Sequence, residues 1–254
     1  MPELEFVLID EATFVDIPEP AQPGARCQTC DYWERLDGGR EAPPADAPDR
    51  QARERLKRDR VLSGRRLTGS YGMLAVRTDA VERTVVGYAQ FGPLSIYPRA
   101  QSIRERYAEL PDSPAPWVVT CLQVPLAVHG AEEREAIARR LLGAVCDELD
   151  RRGIGVVEAY PEGSADPWLP SAGPPEVYEA GGFARVAGDE RYPVHRRELS
   201  GEVDDAAWGD LLRRGAPSDE GEGWPLPMPK ARDEDDLFRL PPDKPKRPNP
   251  FGDD

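Results

Sequence analysis

The chain has 254 residues, a formal net charge of -14, a pI near 4.8, 28 prolines and a mean hydropathy of -0.62. The length admits one large domain or two small ones, and the proline content with the low hydropathy predicts one packed core with loose tails. The acid surplus opposes the electrostatic attraction behind non-specific binding to nucleic acid or anionic membrane, so both are excluded as expected partners.

In chain order, the opening "MPELEFVLIDEATF" lacks a basic stretch ahead of an apolar core, and no run of about 18 apolar residues occurs, so a cytoplasmic protein is expected. "CQTCDYWE" follows, and its Cys27 and Cys30 have the spacing of half a zinc site or of a redox dithiol. A zinc site needs two more ligands, and the sequence offers only Cys121, Cys146, His129 and His195, all distant in sequence. Cys121 and Cys146 lie on apolar stretches and read as core thiols, so no metal is expected. After the loose stretch "DGGREAPPADAPDR", "RQARERLKRDR" predicts a basic helix over 51–62 whose charges form a solvated face.

"SYGMLAVRT" and "TVVGYAQFG", joined by a turn near 79–83, read as an antiparallel hairpin because Val, Tyr and Phe fit a pleated surface. A short helix in "YPRAQSIRERYAEL" precedes the apolar strand "APWVVTCLQVPLAV", where Pro125 predicts a bulge or an unpaired position. The following helix carries Ile137, Leu141, Leu142, Val145, Cys146 and Leu149 on one stripe, with Gly153 placed to end it. "IGVVEAYP" is a buried strand, and strand, helix, strand at this length predicts a right-handed crossover to a parallel neighbour. A helix in "PPEVYEAGGFARV" and a strand in "YPVHRREL" complete an α/β (α+β) core with a mixed sheet and helices on both faces. The expected organisation is an N-terminal segment 1–66, a core 67–200 and an acidic Pro-rich tail 201–254. The tail is too poor in aliphatics to offset its ordering entropy and is expected to be disordered.

A hairpin, an irregular strand, a crossover helix, a parallel strand and a short helix ending in "VYEAGGF" resemble the GNAT acyltransferase superfamily over 68–199. The resemblance implies a splayed parallel strand pair, acetyl-CoA as co-substrate, and acyl transfer to the amine of a small molecule or peptide by direct attack. It places the coenzyme pyrophosphate on a Q/R-x-x-G-x-G/A loop, where a helix N-terminus supplies N–H groups and the positive end of its dipole. A gapless register puts Glu133 at the Gln/Arg position, Ala136 at the first Gly and Ala138 at the Gly/Ala position. Leu126, Val128, Arg134, Ile137 and Arg139 then join them as coenzyme contacts. A rival register leaves His129 and Gly130 in the loop. Ala136 adds a Cβ where close backbone approach is needed, and Glu132, Glu133 and Glu135 bring like charge to a polyanion. Arg134, Arg139 and Arg140 work in the opposite sense.

The resemblance also implies that Tyr178 acts as general acid toward the leaving thiolate; otherwise it packs a helix end. Glu158, a carboxylate within "GVVEAY", is either the base for the amine or the partner of an arginine. The backbone over 122–128 would supply the N–H that polarises the acyl carbonyl. Tyr32, Trp33 and Glu34 would wall the acceptor pocket under N-terminal helices, or Trp33 is a hydrophobic anchor. Two readings stand: an acyl-CoA-dependent N-acyltransferase, and a degenerate GNAT-like binding module without tight coenzyme binding. The acid excess favours a cationic acceptor.

Overall fold

In the computed structural model, the described residues are 3–20, 22, 24–37, 49–64, 69–78, 83–125, 127–128, 130–162, 171–188 and 193–201. They fall in one compact unit, Met1–Ala216, while Pro217–Asp254, together with Leu126, His129 and the predicted tail beyond Gly201, lies outside them. Among the described residues seven strands form one sheet: β1 (Glu3–Leu8), β2 (Gly72–Thr78), β3 (Arg83–Pro93), β4 (Trp117–Gln123), β5 (Val156–Ala159), β6 (Ala184–Ala187) and β7 (Val194–Glu198), in the order β1-β2-β3-β4-β5-β7-β6. Only β4 and β5 run parallel; every other neighbouring pair is antiparallel. β1, which pairs with β2, opens with polar and apolar residues in alternation, Glu3, Leu4, Glu5 and Phe6.

Four α-helices among the described residues cover the sheet: α1 (Arg50–Leu62), α2 (Pro98–Arg104), α3 (Ala131–Arg151) and α4 (Pro175–Ala180). Alternation along the strands divides the core between the two faces. Met73, Ala75, Ala89, Phe91 and Val119 pack with the α3 stripe and with Val177 and Tyr178 of α4. Leu74, Val76, Tyr88 and Val118 face the other way, onto Val61 of α1, Ala100 and Ile103 of α2, and Trp33. Gly87 lets α3 lie close to the sheet, since a Cβ there would sit 3.1 Å from Ala75 and 3.2 Å from Leu141. α3 ends as its sequence predicts: Gly153 (φ 75) donates to Asp150 O at 2.8 Å and Ile154 to Leu149 O at 3.0 Å, the paired bonds of a Schellman motif.

The irregularity in β4 lies at a different residue from the one expected. Gln90 faces Cys121 and Phe91 faces Val119, so Thr120 is the extra residue of a bulge, and β4 ends at Gln123 before Pro125 is reached. Pro125 therefore interrupts no ladder; its carbonyl accepts from Val128 N at 3.0 Å in the turn that follows. The bulge has a consequence for side chains. It shifts the alternation by one, turning Cys121 toward the α1 and α2 face and Leu122 toward α3. Among the described residues, no helix is long and apolar enough to cross a membrane.

Candidate functional site

β5 pairs with β4 only between 117–119 and 157–159, while β4 continues to Gln123. Beyond Val119 the flank of β4 that β5 would otherwise cover is therefore open to another partner. The segment 171–174 takes that place. Ser171 O accepts from Leu122 N at 2.7 Å and from Gln123 Nε2 at 3.0 Å, and Ser171 Oγ accepts from Trp33 Nε1 at 2.7 Å. Gly173 (φ 75) makes the approach possible, because a Cβ there would stand 2.9 Å from the Leu122 carbonyl oxygen. The Tyr178 hydroxyl donates to Ala172 O at 2.5 Å. Tyr178 is fully buried edge-on to Phe183, with ring centroids 5.3 Å apart, and burial holds its phenol well above its ordinary pKa.

Within the 122–128 backbone expected to polarise an acyl carbonyl, the Leu122 N–H is bonded to the chain's own carbonyl. The coenzyme residues of the gapless register fall inside a helix. α3 begins at Ala131, directly after Gly130 (φ 88), so Glu133, Arg134, Ala136, Ile137, Ala138 and Arg139 occupy its first turns. Gly130, which the rival register leaves in the loop, stands immediately before the helix. Ile137 and Ala138 point into the core, Val128 is buried, Arg139 lies 3.5 Å from Glu135, and Glu133 bonds Arg77 at 2.5 Å. Among the described residues no side chain caps the first turn of α3, and Glu132 and Glu133 stand beside its leading amides.

Glu158 is fully buried with both oxygens occupied: Arg196 Nη1 at 2.9 Å on Oε1, and Arg104 Nε at 3.2 Å and the Tyr160 hydroxyl at 2.6 Å on Oε2. This is the arginine-paired alternative of the sequence analysis, with both carboxylate oxygens engaged. Glu158 binds Arg104 of α2, on the face opposite Tyr178, so the two predicted catalytic residues are not brought together.

The N-terminal residues meet the site from the α1 and α2 face. Trp33 is both a buried anchor and a donor to Ser171, and Tyr32 stacks edge-on against it beneath the Arg99 guanidinium. Glu34 Oε1 accepts from Lys57 Nζ at 2.6 Å and from Gln90 Nε2 at 2.8 Å. Burial alone would push the Lys57 ammonium down; the charge of Glu34, the neighbouring Cys30 and Cys121 and the hydrogen bond to Glu34 together outweigh it and raise the pKa instead. Lys57 and Gln90 escaped the sequence analysis. Lys57 was counted with the solvated face of α1, though it stands four residues before the buried Val61.

Cys27, Cys30 and Cys121 line one cavity with Lys57, Gln123 and Ser171. Burial pushes the Cys121 thiol up to about 12 and the Cys27 thiol well above its ordinary value, so they remain protonated and weakly nucleophilic. Among the described residues no group of three or more His, Cys, Asp or Glu is arranged to hold a metal ion.

No family model and no curated protein matches the chain. Among solved structures, the chain is similar to a mosquito arylalkylamine N-acetyltransferase like 5b (TM-score 0.44, 11% identity, covering 78% of this chain and 100% of that one). It is also similar to an agmatine N-acetyltransferase (TM-score 0.44, 12% identity, 77% and 99%) and to a chain of the NatC complex bound to Gag peptide and CoA (TM-score 0.41, 13% identity, 78% and 98%). Strand order and direction within the chain carry more weight: an antiparallel run β1 to β4, the crossover α3, and a parallel β5 that parts from β4 halfway along. The fold is GNAT-like.

Within this GNAT-like domain His195 of β7 is 1% exposed, with Nε2 3.5 Å from Glu179 Oε1 and Nδ1 buried without a partner among the described residues. Burial lowers its pKa below 6.5. The folded state therefore favours the neutral ring, and that stability is complete above the unfolded value and lost as pH falls through the lower folded one. Thermal melts between about pH 7.5 and about pH 5 should show a falling midpoint on the acid side, and His195→Gln should flatten that fall. Identical acid limbs in the two proteins would remove His195 as the cause.

Proposed function

We propose that the chain is an acyl-CoA-dependent N-acyltransferase whose thioester arm binds along the open flank of β4, with segment 171–174 closing that flank at rest. The observation that carries this reading is that β4 outruns β5, leaving the Leu122 N–H on a replaceable loop carbonyl next to the Tyr178 phenol. An extended arm bearing amides can add to such a flank as a strand does. Bound there, an acyl-CoA supplies the activated carbonyl. Leu122 N–H orients the arm, Tyr178 stands ready to protonate the departing thiolate, and the leading amides of α3 face the phosphates. The acceptor is a primary amine of a small molecule or peptide.

Opening the flank exchanges the Leu122 and Tyr178 bonds for bonds to the ligand, and each unreplaced bond costs about 1 kcal/mol. That cost weakens the apparent affinity in proportion to how rarely the open form is populated. Gly173→Ala, which presses a Cβ toward the Leu122 carbonyl, is expected to loosen the segment and tighten acetyl-CoA binding several-fold in calorimetry. Weaker binding by this variant would show that the segment holds the ligand and does not exclude it.

The closed flank and the glutamates at the start of α3 favour a second reading, a GNAT-like binding module that uses no coenzyme. The same titration separates them. Saturable acetyl-CoA binding by the natural protein supports the enzyme; no heat at roughly millimolar ligand from either protein, a threshold near -4 kcal/mol, supports the module.

A further inference from the structure

Three of the four cysteines, all unbridged, meet at one cavity from separate parts of the chain. Cys27 and Cys30 come from the turn that precedes Trp33, and Cys121 comes from β4, turned to this face by the bulge at Thr120. The fourth, Cys146, lies on the opposite side of the sheet under α3 and is 1% exposed. Cys27 and Cys30, each 8% exposed, are the most accessible of the four. Thr29 N donates to Arg26 O at 3.2 Å, and Gln28 Nε2 pins the turn to Val15 O at 2.8 Å. A C-x-x-C pair across such a turn can close into a disulfide, whose Cα atoms stand about 4.4–6.8 Å apart. Lys57 lines the same cavity, and its charge interacts with Cys30 and Cys121. Burial keeps Cys121 and Cys27 protonated, which leaves Cys30 as the sulfur that the neighbouring ammonium can hold as a thiolate. The cavity volume of about 20 Å³ is room for about one water molecule. An oxidant that enters it is therefore the size of a peroxide, and a peptide disulfide is too large.

We propose that Cys27 and Cys30 form a peroxide-sensitive dithiol whose oxidation holds segment 171–174 over the flank of β4. The Cys30 thiolate attacks one oxygen of hydrogen peroxide; the O–O bond breaks, the other oxygen leaves as water with a proton from solvent, and Cys30 becomes a sulfenic acid. The Cys27 thiol then attacks that sulfur, the S–O bond breaks, and the hydroxyl leaves as a second water with the Cys27 proton. Two cysteines have lost two electrons to one peroxide, giving one disulfide and two waters. The bridge reaches the flank through Trp33, three residues past Cys30, whose Nε1 donates to Ser171 Oγ at 2.7 Å. Gln123, also on the cavity wall, donates to Ser171 O at 3.0 Å. Fixing the turn removes freedom from the segment that carries Trp33, so the open arrangement loses more entropy than the closed one. The effect on acyl-CoA binding rests on the acyltransferase reading above; the dithiol chemistry does not.

The test treats the full chain with millimolar hydrogen peroxide, alkylates the remaining thiols and maps the peptides by mass spectrometry. Acetyl-CoA calorimetry is run before treatment, after it and after dithiothreitol. Expected are a bridge between Cys27 and Cys30 with Cys121 and Cys146 still free, several-fold weaker acetyl-CoA binding in the bridged form, and recovery on reduction. Cys27→Ser should stop at a sulfenic acid on Cys30 that dimedone traps, whereas Cys30→Ser should yield none at Cys27. If these variants melt below the assay temperature, mapping of the natural protein decides alone. Oxidation that begins at Cys121 or Cys146, or no bridge between Cys27 and Cys30, overturns the dithiol. Equal bridging by oxidised glutathione overturns peroxide as its oxidant. A bridge with unchanged acetyl-CoA affinity overturns the link to the flank. Absence of acetyl-CoA binding in both redox forms overturns the acyltransferase reading and that link together, while the dithiol stands or falls by the mapping.

Discussion

Glu158→Ala is expected to destabilise the fold by about 3–5 kcal/mol, because it leaves the Arg196 and Arg104 guanidiniums without the carboxylate that both are aimed at. The side chain of Arg196 is 7% exposed and that of Arg104 11%, so neither can turn freely into water. Each keeps one solvent-facing acid, Glu198 and Asp112, which moderates the loss without cancelling it. Chemical denaturation is the measurement. A drop under about 1 kcal/mol would mean that water already reaches the cluster and screens it as at a surface. Glu158→Gln retains the shape and two acceptor lone pairs and should fall between the natural protein and Glu158→Ala.

Leu142→Ala should cost about 2–5 kcal/mol, the range for opening a cavity under a fully buried leucine. Its consequence reaches the site. A Cβ at Gly181 would lie 3.0 Å from Leu142 Cδ2, so Leu142 fills the space under the end of α4, the helix that carries Tyr178. The cavity should therefore also weaken the Tyr178 to Ala172 bond, visible as increased solvent quenching of tyrosine fluorescence before global unfolding. A loss below about 1 kcal/mol would indicate that α4 settles into the vacated volume.

Much of the architecture was legible where side-chain periodicity is strong. The β2–β3 hairpin, the α3 stripe with its Gly153 stop, and the parallel β5 each follow from local pattern and a connection rule. β1 carries a weaker signal in "ELEFVL", where polar and apolar residues alternate only over the first four positions before an apolar run. The site was less readable, for physical reasons. Whether Glu158 is a base or an ion partner depends on Arg104 and Arg196, 54 and 38 residues away in sequence. Lys57 reads as one more cation of a basic helix until α1 is laid on the sheet, and only then does it meet Glu34. The family pattern, matched by length, falls on residues that lie within α3, whereas Gly130 at positive φ sets where the first turn begins. Segment 171–174 has no periodicity at all; its role comes from one glycine and one carbonyl meeting β4.

The bond from Leu122 N to Ser171 O carries information about time as well as position. Leu122 is 0% exposed on an interior strand, so its amide can exchange with deuterium only when segment 171–174 lifts or the whole sheet opens. Amides of Val118 and Val119, on the part of β4 that β5 covers, require the larger event. The ratio of the two exchange rates is therefore a clock for the flank alone. It is readable in the natural protein without ligand, label or substitution, and it separates a segment that breathes from one that is locked.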